Sequence, residues 1–268
     1  MTKLAPSLEQ VLHQLTAAED EQQLQLPSGW GQGRALFGGL TVAVVIEHLR
    51  RAVAAQQALR SLSVSFVAPA VAGPATVKRT LLRQGKSVTQ MRAELVQDGQ
   101  VVVSALASFG AARPSIIKQS AVKHVNLGQP EDGLVMPNIE VVPEFVKHFD
   151  MSITIGGLPF SGHRSRSFGG WVRLKQAPLG LNEAYIAALV DAWPPALLPH
   201  LVQPAPASSL TWTLEFIEPL PQASAADWWQ YQADIEYAAD GYGHCAARLC
   251  DAEGKLVAIS RQTVTVFA

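Results

Sequence analysis

Two short passages of this chain occur twice, in the same order. Phe66-Val-Ala-Pro69 returns as Phe216-Ile-Glu-Pro219, and Gln97-Asp-Gly-Gln-Val-Val-Val103 returns as Ala252-Glu-Gly-Lys-Leu-Val-Ala258. The offsets are 150 (216 − 66) and, glycine on glycine, 155 (254 − 99). Near-equal offsets imply a duplicated fold unit, and each half of the 268-residue chain is long enough to bury its own core. Duplicated halves are free to diverge. Where one copy carries polar groups at positions the other leaves apolar, chemistry is the first suspicion.

The pattern of elements repeats with the motifs. A short helix is expected over 7–15, a strand over 21–26 and a Gly/Pro loop over 27–33. A long helix is expected over 36–56, where Val42, Val45, Ile46 and Leu49 recur at helical spacing. Four strands are expected at 59–67, 75–82, 87–97 and 101–109, with Asp98-Gly99 as a hairpin turn. Residues 112–144 carry four prolines and no steady period, and read as an ordered linker whose isoleucines and valines pack against the rest. The second half then gives strands at 146–155 and 171–176, a helix at 181–198, and strands at 208–218, 228–237, 244–250 and 256–267. One long helix followed by an antiparallel meander, done twice, is an α+β architecture. Helices apolar nearly all round must be wrapped by their sheets. The expected organisation is 1–112, a linker at 113–144, and 145–268.

Composition narrows the function. The chain is 48% hydrophobic and only 16% charged, with a net charge of −1. Such a chain buries much of its surface, which favours a homo-oligomer, a dimer or higher. With no basic block, nucleic acid is excluded as the expected partner, and an anionic ligand has to be held by local groups. The first fifteen residues carry no secretory signal pattern, and no stretch is long and apolar enough to span a membrane. Cys245 and Cys250 are five apart, which on one strand puts them on opposite faces and argues against a mutual disulfide. Buried free thiols fit a reducing cytoplasm. The seven histidines form no pair at metal-ligand spacing, and Gly31 and Gly33 lack the rest of a dinucleotide fingerprint. No metal and no cofactor is expected.

Several segments together resemble a known family. They are Leu36-Phe-Gly-Gly39 at a helix start, Val64-Ser-Phe-Val-Ala-Pro69, Leu82-Arg-Gln-Gly-Lys-Ser87 and the strand ending Ala107-Ser-Phe109. In the second half they are Leu189-Val-Asp191, Ser209-Leu-Thr-Trp-Thr213 and Asp251-Ala-Glu-Gly-Lys-Leu-Val-Ala258 running on to Gln262. Their order is similar to that of the double-hotdog acyl-CoA thioesterases of type II. The resemblance implies two tandem hotdogs, each an antiparallel sheet around a long central helix, joined as one continuous sheet. It also implies hydrolysis of an acyl-CoA substrate by a water that a carboxylate, a hydroxyl and a glutamine position. Matched position by position, these are Asp191, Ser209 and Gln262. The hydroxyl is often threonine in the family, and Thr211, two residues on and read as sharing a strand face with Ser209, competes for the role.

The residues support part of this independently. Asp191 is the only charge in Tyr185-Ile-Ala-Ala-Leu-Val-Asp-Ala-Trp193, and Pro194-Pro195 place it near a helix end. An aspartate there opposes the helix dipole, and a carboxylate in apolar surroundings is costly without donors. A structural aspartate bonded to nearby backbone is the alternative. Gln262 corresponds, at an offset of 155, to Ala107, so one copy carries an amide where the other carries a methyl. Gly38-Gly39 could bring backbone N–H groups to a thioester carbonyl, with amides near Asn182 or Glu183 as another source. His163-Arg-Ser-Arg166 is a basic loop that reads more simply as solvated than as a phosphate site. The rival functions are a non-catalytic acyl-CoA-binding protein and an enoyl-CoA hydratase. Against the hydratase, the expected histidine a few residues after the aspartate is missing before His200.

Overall fold

The computed structural model describes residues 5–17, 19–121, 127–137, 142–176 and 180–267. In chain order the first half contains α1 (Leu8–Leu12), β1 (Glu21–Leu26), β2 (Gly31–Gln32), β3 (Ala35–Leu36), α2 (Gly38–Arg50), β4 (Gln57–Phe66), β5 (Gly73–Gln84), β6 (Val88–Gln97) and β7 (Gln100–Ala111). After β8 (Leu134–Val135) come β9 (Phe149–Ile155), β10 (Ser167–Leu174), α3 (Glu183–Asp191), β11 (Ala207–Phe216), β12 (Trp229–Ala239), β13 (Tyr242–Cys250) and β14 (Leu256–Val266). Twelve strands form one antiparallel sheet in the order β1-β5-β6-β7-β4-β11-β14-β13-β12-β10-β9-β8. The two long helices are buried inside it and pack on each other. This is the double hotdog.

The two halves meet along the β4–β11 seam. Ser63 pairs with Thr213, its own counterpart at an offset of 150, while Ser61 pairs with Glu215 and Ser65 with Thr211. A pseudo-twofold axis therefore passes through the Ser63–Thr213 pair. Local irregularities obey it too. The pairing of β4 with β7 slips between Leu59 and Ser61, and that of β11 with β14 slips between Ser209 and Thr211. The extra residues, Arg60 and Leu210, are again 150 apart. Leu62 pairs with Ala107 as Trp212 pairs with Gln262, and Leu59 with Phe109 as Ser209 with Val264. These matches preserve both offsets read from the sequence.

The helices are shorter than their patterns predict. α2 is rich in β-branched residues, poor helix formers, and is held by burial of nearly every residue from Gly39 to Leu49. α3 is capped by Asn182, whose Oδ1 accepts from the amides of Ala184 and Tyr185. It stops at Asp191, not near 198, because a residue before proline is driven out of helical geometry and Pro194 cannot donate. The strand expected from 146 begins at Phe149, after a 3₁₀ turn over Glu144–His148. The described part of the linker departs from expectation, and Val122, Val125, Ile139 and Val141 lie outside the described residues. Ile116 and Ile117 are exposed, because 112–121 forms no helix or strand that could press them onto the core. Cys245 and Cys250 are free, and both are buried because the pairing shifts between Leu249 and Cys250. Among the described residues, no helix is long and apolar enough to cross a membrane.

Candidate active site

Asp191 is the last residue of α3, and its carboxylate is delivered to the first turn of α2. There the Gly39 amide donates a hydrogen bond to it. On the other side, Gln262 Nε2 of β14 donates to Asp191 Oδ1 at 2.9 Å. The dipole conflict at the end of α3 is thereby relieved from outside. The carboxylate sits against the positive end of the opposing helix, and no side chain of Phe37, the N-cap of α2, competes for the first-turn amides. Close approach is what requires glycine. A Cβ on Gly38 would lie 2.8 Å from Asp191 Oδ2, and one on Gly39 would lie 3.1 Å from Asp191 Cβ and 2.4 Å from Phe37 Cζ.

Burial raises the Asp191 carboxyl from the usual carboxylate range to about 7, against the lowering effect of the bonds from Gln262 and Gly39. The residue as a whole is intermediate in exposure, while its carboxyl group is packed deep between the helices. A carboxylate that exchanges its proton near neutral pH is suited to general-base work.

The structure separates the hydroxyl candidates. Trp212 and its partner Gln262 face the interior; Thr211, adjacent to Trp212, is exposed and pairs with Thr263 and Ser65. The bulge at Leu210 brings Ser209 back to the inner side, beside buried Val264. Ser209 and Thr211 therefore lie on opposite faces, contrary to the simple two-residue alternation. Among the described residues, the Ser209 hydroxyl makes no hydrogen bond to Asp191 or Gln262. Its strand partner Val264 lies two residues from Gln262, about 6–7 Å along the strand.

The Gly39 amide is spent on Asp191 rather than left for a substrate carbonyl, and the α3 amides of Ala184 and Tyr185 are spent on Asn182. Of the candidate carbonyl donors, Gly38 is the one at a helix start without a side-chain cap. In the basic loop, Arg166 Nη2 donates to the carbonyls of Ile235 and Glu236. His200 does not approach the carboxylate through a hydrogen bond; its Nε2 lies 2.7 Å from the Ser165 carbonyl. Two aromatic residues that no motif marked, Phe168 and Tyr231, pack on Trp193. Trp193 stacks on Tyr231 at 4.9 Å, and Phe168 meets Trp193 edge-on. Burial pushes the Tyr231 hydroxyl up, with the nearby Asp191 charge adding to it. Buried Cys245 is the β13 partner of Gln262.

The family model for the acyl-CoA thioesterase N-terminal domain matches residues 26–110, and that for the acyl-CoA thioesterase C-terminal domain matches 125–266. Among solved structures, a protein of unknown function with a hot dog fold from Alicyclobacillus acidocaldarius is 22% identical with a TM-score of 0.82, covering 94% of each chain. An acyl-CoA thioesterase II, TesB2, from Mycobacterium marinum is 21% identical with a TM-score of 0.76, covering 97% of this chain and 98% of its own. At these identities the structural likeness speaks for the fold alone. Comparison with curated proteins gave no match.

Proposed function

The chain belongs to the acyl-CoA thioesterase family, both of whose domains it carries, and from that premise we propose that it hydrolyses an acyl-CoA thioester to the free acid and coenzyme A, with Asp191 as general base. The observation that carries this reading is the carboxylate held between Gln262 and the Gly39 amide, its pKa raised to about 7.

In the proposed reaction, ionised Asp191 takes a proton from a water held by Gln262 and Ser209. The water oxygen attacks the thioester carbon, and negative charge collects on the carbonyl oxygen near the first turn of α2. The tetrahedral intermediate collapses by breaking the C–S bond, and the proton on Asp191 passes to the departing thiolate. Products are one carboxylic acid and one thiol, and the base is restored. General-base assistance is worth about 10²–10⁴ in rate.

Thiol release from a series of acyl-CoA esters of increasing chain length tests the reading. Turnover that depends on chain length supports it. Tight binding of a non-hydrolysable acyl-CoA, without thiol release from any natural thioester, would instead make this an acyl-CoA-binding protein. Hydration of crotonyl-CoA would contradict it in favour of a hydratase.

A further inference from the structure

The pseudo-twofold axis relates the candidate site to a second place in the molecule, and that place is filled. α2 and α3 begin directly after Phe37 and Asn182, so Gly38 corresponds to Glu183 (an offset of 145) and Asp191 corresponds to Ile46. Ser209 corresponds to Leu59, and Gln262 to Ala107. The mate of the catalytic trio is thus Ile46, Leu59 and Ala107, all buried and apolar. One carboxylate occupies this second place. Glu183, the first residue of α3 and 5% exposed, sends its Oε1 to the main-chain amide of Leu59 at 3.1 Å.

The backbone explains why that amide is available. The seam between β4 and β11 ends at the pairs Ser61–Glu215 and Ser65–Thr211. Leu59 and Ser209 lie just beyond those ends, each two residues before the last pair and each behind a one-residue bulge. In the first half the Leu59 amide is satisfied by a carboxylate that belongs to the protein. In the second half the residue that would supply it is Gly38, which has no side chain. A Cβ there would lie 2.8 Å from Asp191 Oδ2 and 3.1 Å from the Phe66 ring, so the position borders the base.

We propose that the main-chain N–H of Ser209 is an oxyanion donor, which with the N–H of Gly38 receives the thioester carbonyl oxygen, and that Glu183 on Leu59 is the internal carboxylate that marks this position in the silent copy. The inference rests on the thioesterase reading above and adds to it a group whose side-chain identity is immaterial. It also explains the glycine and glutamate choices together. The active copy carries no side chain at this position that could satisfy the Ser209 amide, and the silent copy keeps its own carboxylate. Ser209 then serves twice, its hydroxyl toward the water and its amide toward the carbonyl.

Replacing the amide at Ser209 by an ester, through incorporation of the α-hydroxy analogue of serine, deletes that N–H and keeps the hydroxyl. With wild type releasing thiol in the same assay, kcat should fall about 10²-fold, as for loss of one oxyanion donor, while KM stays within about threefold. The same ester at Leu59 should lower the melting temperature and leave kcat within about twofold. A second measurement needs no variant. In protein with ¹⁵N-labelled serine and leucine, adding a short or a long saturated fatty acid should move the Ser209 amide resonance downfield and leave that of Leu59 in place. An unchanged kcat in the Ser209 ester, an equal loss in the Leu59 ester, or a Ser209 amide indifferent to fatty acid would overturn the inference while leaving the thioesterase reading intact. Absence of thiol release from wild type at every chain length would overturn that reading, and this inference with it.

Discussion

The two ends of the β4–β11 seam are built from corresponding residues and differ in almost every one that could do chemistry. At one end stand Asp191, Gln262, Ser209 and Gly38; at the other, Ile46, Ala107, Leu59 and Glu183. The backbone frame is shared, including the bulges at Leu210 and Arg60. What separates the ends is where a carboxylate comes from and what holds it. Asp191 reaches the first turn of the other helix and is held by an amide side chain and a backbone N–H. Glu183 sits on its own helix's first turn, where a negative charge suits the dipole, and its bond to Leu59 makes it structural. On the proposed reading, a duplicated fold keeps one site and uses the corresponding space in the other copy for a structural carboxylate.

Substitutions can break this comparison in graded steps. Asp191→Asn should reduce kcat by about 10²–10⁴, measured by thiol release at saturating substrate. Gln262→Leu, which removes a hydrogen bond to a charged group worth about 1.5–3 kcal/mol, should cost about 10- to 100-fold and move the active-site pKa upward. Ser209→Ala should cost about fivefold, in line with loss of one neutral hydrogen bond of about 1 kcal/mol. Thr211→Ala, on the exposed face, should leave kcat/KM within about twofold; a larger loss than in Ser209→Ala would reverse the assignment of the hydroxyl.

Stability sharpens the same contrast. The Asp191 carboxyl titrates higher in the folded chain, at about 7, than the ordinary unfolded value near 3.9. The folded state therefore prefers the protonated form. Its contribution is fully present below about pH 4 and is lost as pH rises through about 7. Between those two values stability should fall with pH, by roughly 1.4 kcal/mol for each step of one in pH at the steepest. Denaturant midpoints of wild type should show this slope, and Asp191→Asn should lack it. Ile46→Asp, which places the acid in the copy that has no glutamine or glycine to receive it, should destabilise the fold by about 3–5 kcal/mol at neutral pH.

Much of this was legible in the sequence because duplication supplied an internal reference. The offsets 150 and 155 are also the offsets of strand pairing, and Gln262 and Ala107 occupy corresponding places in it. Asp191 announced itself as a lone charge in an apolar run. Three things were hidden. A bulge changes which residues share a face, so counting by twos could not tell Ser209 from Thr211. The target of the Gly39 amide depends on how two helices distant in sequence pack. Glu183 reads as an ordinary first-turn acid until the structure places Leu59 beside it. Ile116 and Ile117 show the opposite error, where hydrophobicity alone promised packing that the chain does not provide.

The pH dependence of kcat/KM for thioester hydrolysis, in wild type beside Gln262→Leu, tests most directly whether burial between the halves makes Asp191 the base. The wild-type rate should climb with pH along a limb whose apparent pKa is about 7, and that limb should move to higher pH in the variant. A wild-type limb near the ordinary carboxylate value, or one at about 7 that is identical in both proteins, would contradict the account.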